Sequence, residues 1–166
     1  MTDPIHPPEV EIKVLDDRLH QWGLPGYQTE MAAALDMFAC LDAPLALEPQ
    51  APAQLVRSGI ALYIGNPQLC AVLLPRSGMG HKKGLVLGNL VGLIDADYTA
   101  EIMISVWNRN AAGSDPLVIA PGDRIAQMLF LPVVRPVLSV VDSFSGSTAR
   151  GGGGFGSTGT APQGGA

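Results

Sequence analysis

A chain of 166 residues that is 47% apolar and only 15% charged can bury a core but is short of the charge that covers a small monomer, so part of its surface is expected to lie in an oligomer. The net charge of −5 excludes a duplex nucleic-acid binder, which needs clustered Lys and Arg, while a few local cations would still suffice for a nucleotide-sized anion. No apolar run approaches the ~20 residues of a membrane span, no basic-then-apolar leader is visible, and Cys40 and Cys70 lack a paired spacing, as expected for buried thiols of a cytoplasmic protein.

Residues 1–8, with three prolines, are expected to form a flexible lead-in. From Glu9 to Leu15 the alternation of Val10, Ile12 and Val14 with Glu9, Glu11 and Lys13 predicts a first strand. Residues 16–28, containing Trp22, Gly23, Pro25 and Gly26, predict a loop with at most one helical turn. The following TEMAAALDMFACLDAPLALEP is helix-like in composition, but Pro44, Pro49 and the alternation Leu35, Met37, Ala39, Leu41 predict a strand. Asp36 then faces away from the apolar row, toward solvent or a partner subunit.

Two short apolar runs at 55–64 and 69–74, separated by the turn GNPQ, continue the pattern of brief strands between Gly and Pro punctuation. Such spacing implies an all-β barrel or sandwich. Residues 9–142 are expected to form this β-rich domain, and 143–166, rich in Gly, Ser and Thr, a mobile arm.

The chemistry-bearing groups concentrate in 75–108, PRSGMGHKKGLVLGNLVGLIDADYTAEIMISVWN. Arg76 and Ser77 precede Gly78 and Gly80, so a guanidinium, a hydroxyl and accessible N–H groups form an anion site, most simply for phosphate, or else a solvated turn. His81, Lys82 and Lys83 raise the local positive potential. Asn89, expected to be buried, lies among Gly84, Gly88 and Gly92, where a planar base could approach the backbone and pair with it. Asp95 ends an apolar run, either as a general base toward water or as a turn-initiating aspartate. Tyr98 either stacks on a sugar or caps the core edge. Met103 and Trp107 share a strand face and read as packing residues.

Further on, Pro121-Gly122 marks a turn before a strand in which Ile125, Gln127, Leu129 and Leu131 share a face. The amide of Gln127 is either a cross-strand bond or a ligand contact. In the tail, Arg150 before four glycines and Phe155, Gly156, Ser157 and Thr158 supply a cation, a ring, hydroxyls and free amides, as an arm closing over a nucleoside phosphate would. The same GGGGFGSTG lacks the lysine of a Walker A loop.

In order, AALDMFA, PRSGMGHKKG, GNLVGLIDADY, GDRIAQMLF and RGGGGFGSTG resemble the five motifs of the trimeric dUTP pyrophosphatases (dUTPases). The resemblance implies a distorted jelly-roll subunit of β-clip type and a homotrimer whose active sites draw on all three chains. It also implies hydrolysis of dUTP to dUMP and pyrophosphate, with Mg2+ as cofactor. Asp95 and Gln127 are implied as catalytic, with Gln127 in the phosphate region beside Arg76, Ser77 and Gly78. Asn89, Leu93, Ile94, Asp95 and Met103 would line the deoxyuridine site, and Tyr98 would stack on deoxyribose. Asp36 would act through Mg2+-bound water, and Arg150, Phe155, Gly156, Ser157 and Thr158 would close over the substrate. Ala34 and Ala100 stand where the family usually carries glycine, and an alanine held at positive φ would be strained. A dCTP deaminase-like enzyme of the same fold and a non-catalytic nucleotide-binding trimer are the alternatives.

Overall fold

A computed structural model describes residues 7–148 and 151–152. The chain runs β1 (Glu11–Val14), α1 (Leu19–Trp22), β2 (Leu35–Phe38), β3 (Leu45–Leu47), β4 (Gln54–Tyr63), β5 (Leu69–Pro75), a π-helical turn (Met79–Lys83), β6 (Leu85–Leu87), β7 (Gly92–Ile94), β8 (Glu101–Asn108), β9 (Leu117–Ile119) and β10 (Arg124–Pro132). One antiparallel sheet has the order β1-β4-β8-β6 and a second the order β2-β10-β5-β7, with a β3-β9 ribbon beside them. The fold is all-β and of jelly-roll type.

Alternation places the core. On β8, Ile102, Ile104, Val106 and Asn108 are buried, while Glu101, Met103, Ser105 and Trp107 form a half-exposed outer face. The inner row meets Met37 of β2, Leu73 of β5, Met128 of β10, and Leu47 and Ile119 of the ribbon in one apolar cluster. Asn108 enters this cluster because its amide is spoken for: it donates to Leu47 O at 2.9 Å and accepts from Asn110 N at 3.0 Å.

Two expectations change. The Ala/Leu-rich segment is two strands, since regular pairing stops at Phe38; Ala39 and Cys40 donate instead to Asp123 O and Arg57 O. The short strands β3 and β9 pair only with each other and are too brief to show a period. In β10 the row Ile125, Gln127, Leu129, Leu131 does not share one face. A bulge between Arg124 and Ala126 buries both Ile125 and Ala126 and leaves Gln127 and Leu129 on the half-exposed side. Ala100 is not among the residues at positive φ, so the alanine there carries no such strain.

The α-helical turn, α1, is anchored by Arg18, which donates to both carboxylate oxygens of Asp16 and to Leu41 O, and lies 5.2 Å from the Trp22 ring centre. Its hydrogen bonds hold the Asp16 carboxyl down to about 2. A lowered carboxyl stabilises the fold above its unfolded value, about 4, and that contribution is lost as pH falls toward the folded value. Asp16→Asn should therefore flatten the part of the acid-unfolding curve between about pH 4 and pH 2, measured by circular dichroism.

Gly59 sits in the irregular stretch of β4, where pairing passes from Arg57↔Met103 to Ala61↔Glu101. It has φ +73°, and a Cβ there would lie 2.5 Å from Cys40 Sγ and 2.9 Å from Asp16 Cβ. Its N–H donates to Glu101 Oε1 and its carbonyl accepts from Leu15 N, which fixes the strand-to-loop junctions on either side. Gly59→Ala should cost on the order of 2–4 kcal/mol in urea melts, with strain and overpacking acting together.

The compact unit ends at Arg135, and Pro136 onward forms a second unit. Described residues 136–148 of that unit contain no strand or helix, and Val137, Leu138 and Val140 are exposed.

Candidate active site

The bulge in β10 organises the first cavity. In an unbroken strand Arg124 and Gln127 would point to opposite faces; one inserted residue puts both on the face of Asp36, which pairs across from Gln127. Asp36 is 7% exposed, and it is paired within the chain rather than solvated. Its Oδ1 lies 2.9 Å from Arg76 Nε and its Oδ2 2.9 Å from Arg124 Nη1. Arg76 also donates to Arg124 O at 2.9 Å, and Arg124 to Gln28 Oε1 at 2.7 Å. Gln127 donates to Pro75 O at 2.9 Å, so its amide is a cross-strand bond that still faces the cavity.

This cavity, about 670 Å³, is lined by Asp36, Arg76, Ser77, Gly78 and Gln127 together with Arg124, Lys82, Lys83, Met79, Gln28 and Ala32–Ala34. Four cationic side chains and one carboxylate line it, so the cavity carries a net positive charge. Arg124 was missed in the sequence reading although it stands three residues before Gln127. Its signal was present in GDRIAQ, but only the bulge shows that the two share a face.

A second cavity of about 230 Å³ is lined by Asn89, Leu93, Ile94, Asp95, Tyr98 and Met103, with Leu73 and Gly92. β7 is an edge strand of its sheet, so among the described residues one side of its backbone has no strand partner and can hydrogen-bond a planar ligand. Tyr98 is held by a turn, its N–H donating to Asp95 O at 3.2 Å, and its hydroxyl donates to Glu101 O at 3.2 Å. Asp95 is exposed and also lines a neighbouring cavity of about 500 Å³. Asn89 is exposed rather than buried, because it lies in the turn after β6, which Leu90 N closes onto Leu87 O at 3.1 Å; the buried amide of this stretch is Asn108. Met103 belongs to the outer face of β8 and so lines this cavity instead of packing in the core. Gly88 and Gly92 admit the chain's own Ala53 and Leu73 side chains, so their smallness first serves internal packing.

The two cavities have no lining residue in common. The expected contacts Arg150, Phe155, Gly156, Ser157 and Thr158 lie outside the described residues.

A family model for dUTPase matches residues 20–159. The chain belongs to the dUTPase family. It is 54% identical over 151 residues to the deoxyuridine 5'-triphosphate nucleotidohydrolase of Xanthomonas oryzae pv. oryzae, covering 90% of this chain and 94% of that one. Among solved structures, the Staphylococcus bacteriophage 80alpha dUTPase with dUPNHPP has the same fold at TM-score 0.76 and 24% identity, covering 92% of this chain and 99% of that one. A mutant dUTPase of phage phi11 of S. aureus, described with a structural Mg(II) ion, aligns at TM-score 0.69 and 24% identity over 82% of this chain and 98% of that one.

The Asp36 arrangement yields an expected outcome in stability. Arg124→Met leaves the buried carboxylate with Arg76 alone, and since the Arg124 side chain is 41% exposed the loss should be modest. About 1–2 kcal/mol is expected in urea melts, and the same substitution should cost less on an Asp36→Asn background.

Proposed function

We propose that this dUTPase-family chain hydrolyses dUTP to dUMP and pyrophosphate as a cytoplasmic homotrimer, lowering dUTP and supplying dUMP for thymidylate synthesis. The observation that carries the reading is the division of the site. A polyanion cavity and a base-sized cavity with an unpaired strand edge occur on one chain without sharing a residue. Three copies would join the first cavity of one subunit to the second of another, with the arm of a third, Arg150 to Thr158, closing over both.

In this arrangement the triphosphate lies against Arg76, Ser77, Gly78, Gln127 and Arg124, with Lys82 and Lys83 adding charge. Uracil pairs with the backbone of Leu93 to Asp95 and with Asn89, Met103 packs against the nucleoside, and Tyr98 lies on the deoxyribose. Asp95, exposed at the mouth of its cavity, takes a proton from water as its oxygen bonds to the α-phosphorus; the bond from that phosphorus to the bridging oxygen breaks and pyrophosphate leaves. Fixed cations and amides at the phosphates stabilise the charge that gathers in the transition state.

Among the described residues no cluster of three or more His, Cys, Asp or Glu could cage a metal ion, and each oxygen of Asp36 already faces a guanidinium. With no cage of its own, the chain would hold Mg2+ indirectly, Asp36 accepting a hydrogen bond from water bound to the metal. When bound, Mg2+ supplies neutralisation of the phosphate charge.

Pyrophosphate release from dUTP, dTTP, dCTP and UTP with Mg2+ tests the reading, and selective cleavage of dUTP is expected. Ammonia from dCTP, or no product from any of the four, would sink it. Asp95→Asn should retain binding of a non-hydrolysable dUTP analogue within about threefold while turnover falls by at least about 100-fold, the usual scale for a general base.

A further inference from the structure

We propose that Arg109 and Asn110, which line neither half of the site, are positioning residues that hold the phosphate-side turn in shape. The inference rests on the reading that the first cavity takes the triphosphate.

The turn Met79–Lys83 is a π-helical one, an uncommon form whose end carbonyls need donors from elsewhere. It follows Ser77 and Gly78 directly and carries Met79, Lys82 and Lys83 to the cavity wall. Its own closure is local, with Gly80 N donating to Arg76 O at 2.8 Å. Gly84 N also closes onto Met79 O, and the donors to the other end carbonyls come from the two residues that follow β8. Arg109 places Nε and Nη2 on Gly80 O at 3.2 and 3.0 Å, and its backbone N–H donates to Gly84 O at 3.0 Å. Asn110 Nδ2 donates to Lys83 O at 2.9 Å. Three carbonyls of the turn and its C-cap Gly84 are thus held by two consecutive residues, one of them through a charged donor.

The approach is tight. Gly84 has φ +84°, and a Cβ there would collide with the Asn110 side chain. The clamp is itself braced from behind by Gln50, in the loop between β3 and β4 at φ 60°. Gln50 N donates to Asn108 O at 3.0 Å, and its Nε2 to the carbonyls of Arg109 and Asn110 at 2.9 and 2.8 Å. A non-glycine residue held in the left-handed region to make three such bonds is ordered for that contact. The mechanical path therefore runs from Gln50 through Arg109 and Asn110 to Gly80, Lys83 and Gly84, and from there to the cations of the cavity.

The division of the site supplies the test, because a loosened turn should weaken the phosphate half and spare the nucleoside half. Calorimetric titration of the full chain with dUpNHpp and with deoxyuridine would be run for wild type, Arg109→Met, Arg109→Lys and Asn110→Ala, beside hydrogen exchange at the amides of 79–84. Arg109→Met should bind dUpNHpp about tenfold more weakly, keep its deoxyuridine affinity within about twofold, and exchange the turn amides faster. Arg109→Lys, which can reach one carbonyl, should recover part of the loss, and Asn110→Ala should repeat the pattern more mildly if Arg109→Met does not fold. Faster exchange with unchanged dUpNHpp affinity, or equal weakening of both ligands, would overturn the positioning role. A wild-type chain that binds neither ligand would overturn the functional reading beneath it, a result distinct from either.

Discussion

Because side chains alternate along a strand, Arg124 and Gln127 can face the same cavity only if the spacing of β10 is broken between them, and the bulge at Ile125 breaks it. That single insertion has two consequences. It pushes Ile125 and Ala126 together into the core, and it brings a guanidinium up to Asp36 from the side opposite Arg76. A carboxylate this buried costs free energy unless both of its oxygens are paired. Here the pairing also fixes the direction of Arg76, whose guanidinium is held by Asp36 and by the Arg124 carbonyl at once. The charge of the cavity is therefore set by the strand geometry before any ligand arrives.

Much of this was legible from residue order and part was not. The apolar runs of β1, β4 and β5 emerge within two residues of their observed bounds, and on β8 the shared face of Met103 and Trp107 follows the period of two that the core enforces. What escaped were features that depend on neighbours distant in the chain: the β3-β9 ribbon, three residues long on each side, and the bulge at Ile125. The site followed the same rule. Arg76, Ser77 and Gly78 announce themselves as a turn rich in donors, whereas Arg124 looked like an ordinary charged residue until its face was known. Asn89 is exposed for a related reason, since an apolar neighbourhood in sequence says nothing of the turn that Leu90 N closes onto Leu87 O. The five motifs carried the family through these local errors because their order spans the chain.

The glycines of the central stretch show how one residue type answers several demands. Gly88 and Gly92 make room for Ala53 and Leu73, and Gly84 for Asn110, so their lack of a side chain is used first by the protein itself. Close packing beneath β7 is nonetheless what a base-binding edge requires, since a strand that pairs with a ligand must not shift against its sheet. Structural and functional readings of these positions are thus two consequences of one constraint.

The composition and the divided site lead to the same place from independent directions. With 15% of residues charged, the single chain leaves Leu55, Leu90, Leu93 and Val118 more than half exposed. Scattered apolar side chains are ordinary on a monomer, but Leu93 lines the second cavity and Leu90 lies in the turn just before its strand, so in the proposed trimer covering them and completing the site would be one event. In the proposed trimer, apolar burial would drive assembly, and assembly would set the cationic cavity of one subunit beside the strand edge of the next. Such an enzyme has no half-active monomer: the free energy that hides the apolar surface is the same that brings the phosphate and base pockets to a common substrate.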